Sequence, residues 1–170
     1  MKVEQSQLLA AGIPRSLLKA TIADLPEEVK EFYSKWRKGW DKRGMPSTLF
    51  CVNAPVTGIR LASIVAKVAI VTGDCAKMVT EAALLDLLYE NDMEAYDTCP
   101  SLVVYDLCGR AGKRKMVESF VDFLSERVMN ERRTTLVTTL SKHAKEMTAS
   151  YTQSIEIVID QMAVLEETRC

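Results

Sequence analysis

The sequence has few of the residues from which metal, disulfide and triad sites are built. It has a single histidine, His143, and its five cysteines lie at positions 51, 75, 99, 108 and 170 with no C-x-x-C pair. We therefore expect no Cys/His zinc centre and no catalytic histidine. The odd number and wide spacing of the cysteines favour reduced thiols in a cytoplasm over a disulfide framework.

Long apolar runs are also missing. The most apolar stretch, 64–71, is interrupted by Lys67 and is too short to cross a bilayer. Lys2 is not followed by the apolar core of a signal peptide. We therefore expect neither a membrane protein nor a secreted one.

The composition is that of one globular domain with a substantial core. Hydrophobic residues make up 48% and charged residues 26% of the 170 residues. The 22 basic and 23 acidic side chains leave a formal net charge of -1. Such a balance argues against binding nucleic acid with the whole surface, but it allows local basic patches.

Short apolar runs alternate with helical patterns from residue 48 onward. Strands are predicted over 48–52, 77–80, 101–106, 134–139 and 154–159. Helices are predicted over 59–71, 81–91, 113–130 and 141–150. This alternation requires crossover connections, so we predict an α/β fold with a five-stranded parallel sheet between helices. Residues 1–44 are predicted to form a short helical N-terminal extension, and 45–170 the core.

The turn after the first predicted strand, 53–62, occupies the position of a phosphate-binding loop. A working loop has the pattern G-x-x-x-x-G-K-S/T, in which the lysine neutralises phosphate and the hydroxyl holds magnesium. Here isoleucine replaces the lysine and arginine replaces the hydroxyl residue, and neither can do that chemistry. The arginine either places a positive charge near the loop or forms an ordinary surface salt bridge. The degenerate nucleotide positions are Asn53, Thr57, Gly58, Ile59 and Arg60.

The third predicted strand shows a second loss. A magnesium-dependent NTPase places an acid pair after four apolar residues, but L-V-V-Y-D-L at 102–107 retains only Asp106. Tyr105 precedes it and Leu107 follows it, so one acid of the pair is missing in either register. Asp106 is therefore the remaining candidate for the magnesium-holding acid.

Over roughly 11–158 the chain resembles the DnaC-like bacterial helicase-loader family of AAA+ P-loop ATPases. The segments that carry the resemblance are A-G-I-P-R at 11–15, K-A-T-I-A-D-L at 19–25, the loop at 53–62, T-E-A-A-L-L-D-L-L at 80–88, C-P-S-L-V-V-Y-D-L-C-G at 99–109 and R-R-T-T-L-V-T-T-L-S at 132–141. The resemblance implies an AAA+ core with five parallel strands, oligomers built around nucleotide, and contact with a replicative helicase and single-stranded DNA.

Departures from the family pattern indicate a pseudo-ATPase. The family's sensor asparagine would fall at Leu140, and 150–152 lacks the expected arginine. We therefore expect no cofactor, with ATP and magnesium as the alternative. The leading hypothesis is a non-catalytic DNA replication accessory protein of a bacterial cytoplasm, encoded by a phage or other mobile element, that binds a replicative helicase or its loader. A divergent ATP-dependent helicase loader is the alternative.

Two basic clusters make a single-stranded DNA-binding module a third hypothesis. Cations meet phosphates, and indoles can stack on bases. The stretch 34–44 places cations around two tryptophans, and a second cluster at 110–115 follows the acidic strand. The alternatives are a solvated helix face with its tryptophans in the core, and an exposed basic loop. The candidate residues are Lys35, Trp36, Arg37, Lys38, Trp40, Arg110, Lys113, Arg114 and Lys115.

Overall fold

A computed structural model describes residues 3–38, 48–52, 55–107, 114–138, 151 and 153–167. Its helices are α1 (Gln5–Ala10), α2 (Glu27–Arg37), α3 (Pro55–Val71), α4 (Glu81–Glu90), α5 (Glu94–Asp97), α6 (Arg114–Met129) and α7 (Ser154–Asp160). Its strands are β1 (Thr48–Val52), β2 (Ala76–Thr80), β3 (Ser101–Leu107), β4 (Arg133–Thr138) and β5 (Ala163–Glu167). Two short 3-10 turns, Arg15–Leu17 and Ile22–Asp24, join α1 to α2.

The five strands form one sheet in the order β2-β3-β4-β1-β5, and every neighbouring pair is parallel. The predicted five-stranded parallel α/β fold is thus confirmed. The connection after β1 leads toward β2, whereas the connection after β4 leads past β1 to β5. The carboxyl ends of β1 and β4 therefore border the crevice in which sheets of this kind bind ligands.

The prediction for the last strand was wrong. The run S-I-E-I-V-I forms most of α7, and the fifth strand is β5. The helix buries Ile155, Val158 and Ile159. This spacing is helical, and Ile157, which a strand would place on the same face as Ile155, is 59% exposed. Packing of α7 against α6 overrides the strand preference of its β-branched residues.

Each face of the sheet has its own hydrophobic core. Helices α4, α6 and α7 cover one face, while α3 and the N-terminal segment (residues 3–38) cover the other. Along β3, Leu102 and Val104 belong to the first core and Val103 to the second, as strand alternation requires. None of the helices within the described ranges has the length and hydrophobicity that a membrane span requires.

The N-terminal segment also covers the edge of the sheet at β2. The backbone N–H of Met78 donates to the carbonyl of Ala11 at 2.7 Å. The next residue, Gly12, has a φ of +84°, and the space where a Cβ would lie is occupied by the Met78 carbonyl. A glycine is therefore required both by the left-handed backbone and by this close approach to the edge strand.

Candidate functional site

Most of the turn predicted over 53–62 is helical, because α3 follows β1 closely and already begins at Pro55. Gly58 is buried and Thr57 is half-buried in the first turn of α3, while Asn53 lies outside the described residues. A helix N-terminus attracts anions through its dipole and its unpaired N–H groups. Because proline has no N–H, Pro55 removes one donor that a phosphate would use.

Ile59 stands where a phosphate-binding loop has its lysine. Its side chain packs against the core between α3 and the sheet, beside residues of the N-terminal segment. An apolar side chain in this place contributes to packing and brings no charge toward a ligand.

Arg60 stands where the loop would carry its hydroxyl, and it binds the N-terminal segment. Its Nη1 donates to the backbone carbonyl of Asp24 at 2.8 Å. Hydrogen bonds from Thr21 hold the pKa of the Asp24 carboxyl below its usual value, and the positive charge of Arg60 lowers it further. Of the two sequence-based alternatives for Arg60, this arrangement is closer to the surface ion pair than to a cation facing the loop.

Lys67 is the other cation of α3, and it too faces the N-terminal segment. Its ammonium group donates to the carbonyls of Leu17, at 3.1 Å, and of Ala20. Burial lowers the pKa of Lys67, and the Asp24 carboxylate opposes that shift. The two cationic side chains of α3 therefore hold the turns that lead into α2.

Asp106 lies at the carboxyl end of β3 in an unusual backbone conformation. Its φ is 60°, and the register between β3 and β4 shifts between Val104 and Leu107. The bulge leaves the Asp106 side chain exposed at the edge of the sheet where ligands bind. Burial raises the pKa of Tyr105, and the neighbouring Asp106 charge raises it further. Aspartate adopts this left-handed conformation more readily than most residues, and Asn91 and Glu131 adopt it as well, so the φ alone does not mark a functional site.

A buried carboxylate after β2 was missed by the sequence analysis. Glu81 begins α4 and is only 1% exposed, and its Oε1 accepts a hydrogen bond from the Tyr151 hydroxyl at 2.8 Å. The only sequence signal was local: Thr80 caps the helix by accepting from the Ala83 N–H, and an acid in the first turn suits the dipole. No sequence pattern predicted that Glu81 would be buried against Tyr151, which is 70 residues away in sequence.

The first basic cluster is divided between surface and core. Lys35 is 77% exposed and pairs with Glu31 at 3.5 Å, and Arg37 and Lys38 are exposed as well. Trp36 is only 7% exposed, and its ring lies 5.9 Å from that of Tyr33. The indole of Trp36 is thus placed for core packing and not for stacking on a base.

The remaining basic candidates are described only in part. Trp40, Arg110 and Lys113 lie outside the described residues. Arg114 and Lys115 begin α6, and the structure describes their backbone only. The clustering of these cations after β3 therefore stays a sequence prediction.

Comparison with known proteins yields structural matches only. No protein-family model matches the chain, and no curated protein matches it significantly. A crystal structure of DnaI superposes with a TM-score of 0.70 at 14% identity, over 92% of each chain. A primosome component from Streptococcus pyogenes serotype M3 gives a TM-score of 0.65 at 12% identity, over 98% of this chain and 97% of that one.

The replication initiator DnaA, bound to AMPPCP and single-stranded DNA, also matches. Its TM-score is 0.70 at 12% identity, over 87% of this chain and 49% of that chain, so this protein spans about half the length of DnaA. The chain therefore shares its α/β fold with DnaI and DnaA, as the resemblance to DnaC-like helicase loaders predicts.

Proposed function

We propose that this protein is a non-catalytic DNA replication accessory protein, encoded by a phage or other mobile element, that binds a replicative helicase or its loader. The replication context is supported by the fold, which is shared with DnaI, a primosome component and DnaA. In this proposal the AAA+ scaffold acts as a docking surface, and ATP chemistry has been lost from it.

The observation that carries the proposal is that both cationic side chains of α3, Arg60 and Lys67, are hydrogen-bonded to backbone carbonyls of the N-terminal segment. For Arg60 to reach a phosphate, it would have to give up its 2.8 Å hydrogen bond to the Asp24 carbonyl. Lys67 would have to leave the carbonyls of Leu17 and Ala20. Each move exposes polar backbone groups that the cation now satisfies, which opposes recruitment of either side chain to a nucleotide.

The acidic side of the site supports the same conclusion. Asp106 offers one carboxylate at the end of β3, but Leu107 beside it is buried in the core. Magnesium in nucleotide sites is held through one or two carboxylates, a loop hydroxyl and the phosphates together. With Arg60 at the hydroxyl position, the residue that would share the metal with Asp106 is replaced by a cation.

The first test is nucleotide binding by the full chain. We expect titration calorimetry with Mg-ATP to show no binding at millimolar nucleotide, and we expect no phosphate release above background. The matched comparison is the double variant Ile59→Lys, Arg60→Thr, which restores the loop lysine and hydroxyl and should bind more nucleotide than the wild type. ATP hydrolysis by the wild type that is abolished by Asp106→Ala would contradict the proposal and support a divergent ATP-dependent loader.

The second test concerns the partner. Purified protein should co-elute with the replicative helicase of its host, or with that helicase's loader, in size-exclusion chromatography. Because no nucleotide is required in the proposal, the amount of complex should be the same with and without ATP. Failure to form a complex with either protein would reject the accessory role.

A single-stranded DNA-binding function is the second candidate, and the exposed cations at the end of α2 favour it. The triple variant Lys35→Ala, Arg37→Ala, Lys38→Ala should weaken binding to labelled oligothymidylate about tenfold. It should also reduce the slope of log K against log salt by about 2, since each phosphate contact on a single strand contributes about 0.7. Fluorescence anisotropy over a salt series measures both quantities.

The control for this test lies on the same helix. Lys30 pairs with Glu27 at 3.1 Å and its side chain is 30% exposed, so Lys30→Ala removes a less exposed cation of the same helix. We expect Lys30→Ala to leave DNA binding close to the wild-type value. Equal binding by the triple variant and the wild type would rule out this surface as the DNA site.

A further inference from the structure

We propose that Cys75 and Cys99 form an oxidisable thiol pair, which a peroxide converts to an intramolecular disulfide linking the start of β2 to the start of β3. The pair lies at the amino ends of the strands, away from the loop and Asp106, and the proposal does not depend on the proposed function.

The strand register brings the two cysteines together. Cys75 immediately precedes β2 and Cys99 lies two residues before Ser101, which pairs with Ala76. A strand separation of about 4.8 Å and an offset of one residue, about 3.3 Å, put the two Cα atoms about 6 Å apart. Disulfides bridge Cα atoms that lie roughly 4.4–6.8 Å apart, so the backbone can accept the bond without a large movement.

The Cys99 thiol also lies close to Cys75. The Cys99 thiol lies 3.6 Å from the Cys75 carbonyl oxygen and 3.2 Å from that of Ser101. Burial raises the pKa of the Cys99 thiol to about 11, and a hydrogen bond with the Cys75 thiol contributes to that rise. The Cys99 sulfur is therefore already next to Cys75, and both residues are free thiols in this structure.

The environments of the two sulfurs assign different roles to them. Cys75 is exposed, so an oxidant reaches it directly, whereas Cys99 is buried. The Cys99 backbone is held in place by Arg127, whose Nη2 donates to its carbonyl at 2.8 Å. The positive charge of Arg127 also lowers the pKa of the Cys99 thiol, which partly opposes the effect of burial. Cys75 is thus the attacking thiol and Cys99 the resolving one.

The chemistry balances with a peroxide as the oxidant. The Cys75 thiolate attacks the O–O bond of hydrogen peroxide, which gives a sulfenic acid and one water. The Cys99 thiolate then attacks the Cys75 sulfur, so the S–S bond forms and the sulfenic oxygen leaves as a second water. In total, two thiols lose two protons and two electrons, and one peroxide is reduced to two waters.

The bond should make the edge strand more stable. It would close a loop containing α4 and α5 and connect β2, at the edge of the sheet, to β3. A disulfide that closes a loop of this length constrains the unfolded chain and so raises the free energy of unfolding. The melting temperature of the oxidised protein should therefore exceed that of the reduced protein by about 5–10 °C.

Peptide mapping of the full chain tests the proposal. The protein is treated with hydrogen peroxide, alkylated under denaturing conditions, digested with trypsin without reduction and analysed by mass spectrometry. We expect peptide 68–77, which contains Cys75, to be linked to peptide 78–110, which contains Cys99 and Cys108. The linkage should disappear in Cys99→Ser. It should persist in Cys108→Ser, with the mass change of that substitution.

Two results would overturn the proposal. One is a linked peptide that survives Cys99→Ser but is lost in Cys108→Ser, because Cys108 would then be the partner. The other is a wild-type protein in which Cys75 is oxidised to a sulfinic acid while Cys99 remains fully alkylated. A link that persists in Cys108→Ser identifies Cys99 as the partner, so the question is decided even if Cys99→Ser folds poorly.

Discussion

Replacing Arg127 by methionine is expected to lower the free energy of unfolding by about 3–5 kcal/mol, the range for removing one partner of a buried charged network. Arg127 is fully buried near the end of α6, and its guanidinium is the centre of a backbone network. Its nitrogens donate to the carbonyls of Tyr96 (2.6 Å), Asp97 (3.1 Å), Cys99 (2.8 Å) and Arg133 (3.4 Å) and to the hydroxyl of Thr134 (3.3 Å).

The cost arises because those acceptors are buried or partly buried. Burial lowers the pKa of Arg127 to about 10, so the guanidinium is still charged at neutral pH. Methionine fills much of the same volume but donates no hydrogen bond, and the acceptors of the 96–99 segment would be left buried without this donor. The network joins α5, the start of β3 and the start of β4, so its loss should loosen three elements together.

Arg132 provides the matched control for Arg127→Met. Its Nη1 binds the Asp97 carboxylate at 2.8 Å, but its side chain is 36% exposed. Partly exposed ion pairs contribute little, so Arg132→Met should cost only about 1 kcal/mol. Urea denaturation of both variants at neutral pH, followed by circular dichroism, measures the two values. Equal and small losses for both variants would show that the Arg127 network is dispensable.

Replacing Gly12 by alanine is the second substitution with a large expected effect. The new Cβ would meet the Met78 carbonyl, which belongs to the backbone of β2 and cannot rotate away. The φ of +84° adds the strain of a left-handed residue. We expect a loss of about 3 kcal/mol or more, together with weakening of the bond from the Met78 N–H to the Ala11 carbonyl.

A substitution at Gly73 separates the steric conflict at Gly12 from the strain of its left-handed backbone. It also has a positive φ, +96°, but a Cβ built on it would meet nothing within 4 Å. Gly73→Ala should therefore cost only the conformational strain, about 1 kcal/mol. The difference in thermal or urea stability between the two variants measures the close approach to β2. A Gly12→Ala variant as stable as Gly73→Ala would mean that the N-terminal segment can shift away from the edge strand.

The sheet shows how much of this fold local sequence pattern can predict. Strands β1 to β4 were predicted within one or two residues, because a buried strand between helices leaves a short apolar run with a clear boundary at each end. The error at α7 has the opposite cause. Its β-branched residues favour a strand, and only contact with α6 decides that a helical face is buried.

The candidate site shows a similar division. The identities of Ile59 and Arg60 show directly that the loop pattern lacks its lysine and its hydroxyl residue, because phosphate binding requires particular side chains at particular spacings. The sequence did not predict which group the Arg60 guanidinium binds, since its acceptor on Asp24 is 36 residues away in sequence. Glu81 was missed for the same reason.

By itself, the sequence determined the α/β alternation, the strand boundaries of most of the sheet and the absence of the lysine and hydroxyl residue from the loop pattern. Each of these depends on residue type and spacing over a few positions. Only the tertiary structure decided the strand order, the helix at 154–160, the burial of Glu81 and Arg127, and the contact between Cys75 and Cys99. These features join residues that are distant along the chain, and their energies depend on burial and on partners that no local pattern encodes.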